Sequence, residues 1–375
     1  MATSPNYAWA EPDNSSLVKN GAADIRTLGD AIDTSVWNIG YGQAGKNKII
    51  NGDFTLNQRV FTSNTTAGAY NFDRWCQQNS GGTFTVTPQT FTAGAAPVAG
   101  YEAINFVQGI TATQSAAGDY AIITQRIEDV RTFAGNSVTI SFWAKANTGT
   151  PKIGVELQQN FGSGGSPSAA VSTPAGSITL TTSFARYSVT VAVPSILGKT
   201  IGSTVNTSYL ELNLWTSAGA TFATRASTIG IQNFTASIWG VQVEYGSKAT
   251  PFQTASGDSI QGELAMCQRY YLRPATPSSA ASYGFGAPTT TTSTTIFVPF
   301  PGMMRGIPGT VDFSTLAISD NSTYDLAVSA VVITQGTNSS VTLTVTHALT
   351  AVVYRPAFLK NNNNAAGYLG LSAEL

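Results

Sequence analysis

Charge is what this chain has least of. Only 10% of its 375 residues are Asp, Glu, Lys or Arg, against about 25% in ordinary soluble domains. The 19 basic and 20 acidic side chains leave a formal net charge of −1. Without clustered Lys and Arg nothing displaces the counterions of a phosphate backbone, so DNA and RNA drop out as partners. Cysteine is nearly absent. Cys76 and Cys267, far apart, exclude a disulfide framework and every Cys-rich metal site, and both read as free, buried thiols. The single histidine, His347, removes the HExxH proteases and all multi-histidine metal centres. No run approaches the ~18 apolar residues of a membrane helix, so membrane insertion is not expected. The opening residues lack both a basic and an apolar signal region, which predicts synthesis in a cytoplasm without Sec export.

What fills the chain is uncharged polar: Thr, Ser, Asn, Gln and 36 glycines beside a hydrophobic share of 42%. The length predicts two folded units and a tail. Residues 1–45 open on an extended stretch with Pro5, Pro12 and Asn14, followed by a short helix over about 17–37. In it Val18, Ile25 and Ile32 recur every seven residues with Leu28 at the intermediate position, which reads as two to three heptads. So short a helix needs partner helices, a docking groove or the following domain to hold it.

From residue 46 to 258 the apolar period becomes two. Val138, Ile140 and Phe142, then Ile153, Val155 and Leu157, then Leu210, Leu212 and Leu214 alternate with polar or aromatic neighbours, the mark of half-buried strands. Further strands are predicted at 49–56, 83–90, 120–127, 187–193 and 229–245. Eight to ten antiparallel strands make an all-β sandwich, a jelly roll. Residues 259–375 open with a helix near 259–271 and continue as a smaller β-sandwich, with strands at 294–300, 326–334, 341–347 and 351–354 and loops at 289–295 and 361–364. No repeat of solenoid period is present.

Two phosphate-loop look-alikes fail. Gly198-Lys199-Thr200 has Val193 where the loop requires glycine, and Gly284-Phe285-Gly286 lacks its third glycine and any βαβ context. His347 is in phase with Val341, Leu343 and Val345, so it reads as a buried or interface histidine rather than a base. Glu156 with Glu211 would be the carboxylate pair of a glycosidase. The more informative set is the polar face of the central strands: Trp143, Lys145, Glu156, Gln158, Tyr209, Glu211, Asn213 and Trp215. Aromatic faces stack on sugar rings while amides and carboxylates take their hydroxyls. The competing expectation is that a loop or neighbouring subunit covers Trp143 and Trp215.

Three segments resemble the tail fibres and minor tail proteins of bacteriophages. The stretch from Ser4-Pro5-Asn6-Tyr7 through Leu17-Val18-Lys19-Asn20-Gly21 to Asp30-Ala31-Ile32 resembles their virion-anchoring leader. Asn47 to Phe54, Phe72-Asp73-Arg74-Trp75, Ile140 to Lys145 and Val241 to Gly246 are similar to a jelly-roll module of the carbohydrate-binding kind. Met266 to Tyr271, Pro299-Phe300-Pro301 and Tyr368 to Leu375 resemble the distal domain that follows it. The resemblance implies a non-enzymatic homotrimer located in the virion, held to other virion proteins through residues 1–45 and adsorbing to host surface polysaccharide. It also implies a structural calcium, for which Asp53 and Glu244 would offer oxygens; no other cofactor is expected. Two further readings stay open: a purely structural head fibre, decoration or collar protein, and a glycan-hydrolysing tailspike.

Overall fold

The computed structural model describes residues 2–4, 9–11, 17–39, 44–98, 101–274 and 278–375. The chain is mostly β. Ten strands build the larger unit: β1 Trp75–Ser80, β2 Thr83–Thr90, β3 Asn105–Ala112, β4 Tyr120–Glu128, β5 Ser137–Ala146, β6 Lys152–Asn160, β7 Val171–Thr179, β8 Ala185–Ala192, β9 Tyr209–Ala218 and β10 Thr235–Tyr245. They form two antiparallel five-stranded sheets, ordered β8-β5-β10-β3-β2 and β1-β4-β9-β6-β7, a jelly-roll sandwich. Period-two alternation puts Val138, Ile140 and Phe142 of one sheet against Leu210, Leu212 and Leu214 of the other, all fully buried in one core.

The strand expected at 49–56 is instead a buried turn. Asn51 and Phe54 both adopt φ +57°. The Asn51 side chain accepts from Leu56 N at 2.9 Å and donates to Leu56 O at 2.8 Å. An amide that closes its own turn competes with a ladder, while Ile49 and Phe54 still fill the core. Much of the leader's extended stretch, including Pro5, Pro12 and Asn14, lies outside the described residues. The helix is present as α1, Gly21–Ile39. Its heptad stripe is not packed on the jelly roll: Val18, in the 3-10 turn that precedes α1, is 96% exposed, Ile25 66% and Ile32 38%, with Leu28 half-buried.

The second helix, α2 (Ile260–Gln268), starts where Ser259 accepts from Gly262 N. After it come β11 Tyr271–Leu272, β12 Ser282–Thr290, β13 Ser293–Pro299, β14 Thr310–Ser314, β15 Leu316–Ser319, β16 Asp325–Gly336, β17 Ser340–His347, β18 Ala357–Asn361 and β19 Tyr368–Ser372. The smaller β unit is thus present, but its strands close as a barrel, β12-β13-β17-β16-β15-β18, with a three-stranded sheet β11-β19-β14 beside it. Two open packed sheets were the expectation, and closure removes the edges they would leave. The expected strand at 351–354 is a loop held by Ala351 N to Thr291 O and Tyr354 N to Pro288 O. His347 is 1% exposed and satisfied by Thr294 at 3.0 Å and Leu349 O at 2.9 Å.

A charged seam joins the units. Arg74, buried in the jelly roll, pairs with Glu374, donates to Arg126 O at 2.5 Å and lies 3.4 Å over the Tyr270 ring. Arg59 lies over Tyr271 and reaches both Glu374 and Asp73. Tyr70 and Arg126 donate to the Leu375 main-chain oxygen. Removing one member of such a buried pair strands the other. Glu374→Ala is therefore expected to cost about 3 to 5 kcal/mol in chemical denaturation.

Burial pushes Asp73 up from 3.8 to about 6, the Gln58 and Arg59 contacts lowering it only in part. A carboxyl whose folded pKa exceeds its unfolded one binds more protons when folded, so its contribution to stability falls as pH rises from about 4 to 6. Asp73→Asn is expected to flatten that limb of a stability-against-pH curve.

Candidate glycan-binding groove

Strand register decides which predicted residues meet. On β9, Tyr209, Glu211, Asn213 and Trp215 lie opposite Asn160, Gln158, Glu156 and Gly154 of β6. On the other side they lie opposite Glu128, Arg126, Thr124 and Ile122 of β4. Cross-strand partners share a face, so six of the eight predicted residues do lie together. Trp143 and Lys145 do not: they belong to β5, in the opposite sheet. There Trp143 is 8% exposed, packed against Trp239 and Phe252 with the Arg186 guanidinium over its ring. Lys145 sits over Phe184.

Trp215 is covered as well. A loop over 219–230, with Ser227 and Thr228 at positive φ, folds across it and brings Phe222 and Arg225 onto the indole. Gly154 admits the loop, since a Cβ there would lie 2.4 Å from Ala226 O. Beneath, Glu156 is fully buried and saturated. Arg225 donates to it twice, at 2.8 and 3.1 Å, Asn213 at 3.1 Å and Trp215 Nε1 at 3.0 Å. A carboxylate so sealed has no free oxygen for a substrate. Glu211 in turn is held by Arg126 at 2.9 Å, so the hydrolytic pair of the sequence reading is a pair of structural ion-pair anchors. The expectation that a loop covers the tryptophans holds for Trp215.

What stays open beside the covered tryptophan is a groove of about 300 Å³. Half-buried Gln78, Tyr120, Gln158 and Tyr209 line it, with Arg126 and Glu211 along its floor. The Arg126 guanidinium lies 4.8 Å from the Tyr209 ring. Burial opposes the Arg126 charge, but Glu211, Tyr70 and Tyr209 together hold its pKa above the ordinary value. Burial raises the Tyr209 hydroxyl. Both arginines of the groove are paired, so its surface offers hydroxyl, amide and ring faces without net charge.

Sequence reasoning missed Arg126, Tyr120 and Gln78, although Tyr120, Ile122, Thr124 and Arg126 alternate on one face of β4. Arg225 and Phe222 lie on a loop that carries no periodic signal. Both carboxylates of the suspected calcium pair have protein partners. Asp53 accepts from Tyr101 and Thr55. Glu244 is taken by Gln242, by Thr250 through N and Oγ1, and by Lys46. Among the described residues no group of three or more His, Cys, Asp or Glu side chains could hold a metal ion.

No family model and no curated protein matches the chain. Among solved structures, a CBM4 module aligns with 52% of this chain and 98% of its own at 16% identity and TM-score 0.30. The xylan-binding CBM22-2 domain of Paenibacillus barcinonensis Xyn10C aligns with 47% and 94% at 17% identity and TM-score 0.29. The C-terminal family 22 module of Clostridium thermocellum Xyn10B aligns with 55% and 99% at 14% identity and TM-score 0.32. These neighbours are carbohydrate-binding modules. At such scores the likeness carries no argument about what this chain binds.

The covered and open aromatics are expected to respond differently to truncation. Trp215→Ala removes a buried ring and should cost about 3 to 5 kcal/mol in urea denaturation. Tyr209→Ala should cost about 1 kcal/mol or less, as for a partly exposed site.

Proposed function

We propose that this chain is a non-enzymatic virion appendage, a bacteriophage tail fibre or minor tail protein, that adsorbs to host cell-surface glycan through the groove on β4, β9 and β6. The observation that carries the reading is the groove itself: half-exposed Tyr209 and Tyr120 beside Gln78 and Gln158 on a rigid sheet. Rings there stack on the apolar faces of a sugar, and the amides pair with its hydroxyls. The sealed state of Glu156 supports binding over hydrolysis, because the tailspike reading needs that carboxylate free. The exposed stripe Val18, Ile25 and Ile32 supports the anchoring role of residues 1–45, where three copies of α1 would bury one another's apolar edge.

A homotrimer makes weak sites sufficient. Sites of about millimolar strength, near −4 kcal/mol each, gain roughly 10² to 10⁴ in avidity when several act from one particle.

The test is saturable binding of the labelled full chain to intact host cells, with the oligomer confirmed by light scattering. Tyr209→Ala with Gln158→Ala is expected to weaken binding tenfold or more while thermal unfolding stays cooperative and shifts by no more than a few degrees. Undiminished binding by the folded double variant would remove the groove from the adsorption reading. No binding by a confirmed wild-type trimer would assign the chain a purely structural place in the particle, as a head fibre, decoration or collar protein.

A further inference from the structure

The C-terminal barrel carries a second arrangement of the same chemical kind, on elements the groove does not touch. Phe285 of β12 is the register partner of Phe297 on β13 and of Phe358 on β18. Three phenylalanines thus stand abreast across three adjacent strands on the outer barrel wall, 60%, 42% and 39% exposed. The alternating residues Ile296 and Leu359 are fully buried inside. Glycines make the alignment: a Cβ on Gly284 would lie 2.4 Å from Phe297 O, and one on Gly286 would lie 1.8 Å from Thr295 O. The Gly284-Phe285-Gly286 run, no use to a nucleotide, lets β12 close tightly on β13 with one ring between.

One strand further, Ser319 of β15 is the register partner of Phe358. It opens onto a polar cavity of about 370 Å³, lined also by Asn321, Thr323, Tyr324, Asp325 and Lys360. Lys360 pairs with Asp325 at 3.0 Å, so the cavity holds no net charge. Tyr324 forms one wall of the cavity and packs against the barrel core behind it.

We propose that this wall of the barrel is a saccharide-binding site, in which the phenylalanine strip stacks on linked sugar rings and the adjoining cavity takes their hydroxyls. Three rings at the strand spacing of about 4.8 Å span about 10 Å, the reach of a short oligosaccharide. Phe285 and Phe297, with centroids 6.3 Å apart and planes at 68°, form a corner that cups a ring instead of a flat plate. The area decides between a sugar and a second copy of the chain. With 150–250 Å² per ring, the strip exposes roughly 200–350 Å², against about 800 Å² per partner in a stable protein interface. Charge decides the class: a neutral cavity fits neutral or N-acetylated sugars in preference to uronates.

The experiment is an array of immobilised neutral hexose, N-acetylhexosamine and uronate oligosaccharides, probed with the full chain. Four forms are compared: wild type, the groove variant Tyr209→Ala/Gln158→Ala, the strip variant Phe285→Ala/Phe297→Ala, and the groove and strip substitutions combined, each checked by thermal unfolding. The groove variant is expected to retain binding to at least one neutral or N-acetylated glycan. In that background the strip substitutions should weaken the binding at least tenfold without loss of stability. A groove variant that binds nothing, or residual binding indifferent to the strip, overturns the proposal while leaving the groove reading intact. Binding lost only with the strip would instead remove the groove. Wild-type oligomers that dissociate in the strip variant would make this wall a contact between copies and overturn the saccharide site.

Discussion

The two β units are held in one arrangement across a single buried guanidinium. Arg74 is 1% exposed and has three kinds of partner at once: a carboxylate from Glu374, the carbonyl of Arg126 and the face of Tyr270. Only a planar, permanently charged group satisfies all three, which is why lysine could not replace it. Its partners come from both units, so the jelly roll and the barrel cannot separate without leaving charge in a dry seam. A buried ion pair is poor evidence of net stability, but it specifies one arrangement and penalises all others.

The seam also reaches the groove. Arg126 lends its carbonyl to Arg74, donates to the Leu375 oxygen, and turns its Nε to Glu211 beside the Tyr209 ring. The side chain that orients the groove floor is thus clamped by the end of the barrel unit. In a chain with few charges, these arginines are concentrated where they hold neighbouring elements in register. That placement leaves both the groove and the barrel cavity uncharged at their surfaces, the condition under which hydroxyl-rich ligands are read by shape and hydrogen bonds rather than by charge.

How much of this the sequence carried follows from what period-two patterning measures. It reports which side of a strand is apolar, so the runs through Ile140, Val155 and Leu212 gave the two sheets their core faces. It does not report which strands lie in one sheet. Trp143 and Trp215 occupy equivalent phases of β5 and β9 yet stand in different sheets, because pairing order is a long-range outcome. Nor does it show a loop returning over a polar face. Arg225 lies nearly 70 residues along the chain from Glu156, and neither residue alone announces the pair. The segment 49–56 misled for a local reason: its apolar residues are buried, but Asn51 supplies the turn's hydrogen bonds from its own side chain. The barrel closed where open sheets were expected because β12, β15 and β18, none of which the patterning announced as strands, supply the missing pairings.

Two aromatic arrangements therefore survive on the surface for opposite reasons. In the jelly roll, the loop over 219–230 covers the larger ring and sets Phe222 against Tyr120, leaving the half-exposed Tyr120 and Tyr209 as the rim of a groove. On the barrel the rings stay 39% to 60% exposed among the described residues, and paired glycines hold the strands close enough to bring them abreast. A covered tryptophan is bound by packing that folding alone accounts for. Three phenylalanines in register on an outer wall, beside a polar cavity, stand outside the barrel's apolar core. The neighbouring strand makes that contrast sharp, since β17 carries Ser340, Thr342, Thr344 and Thr346 on the face where β13 carries Phe297.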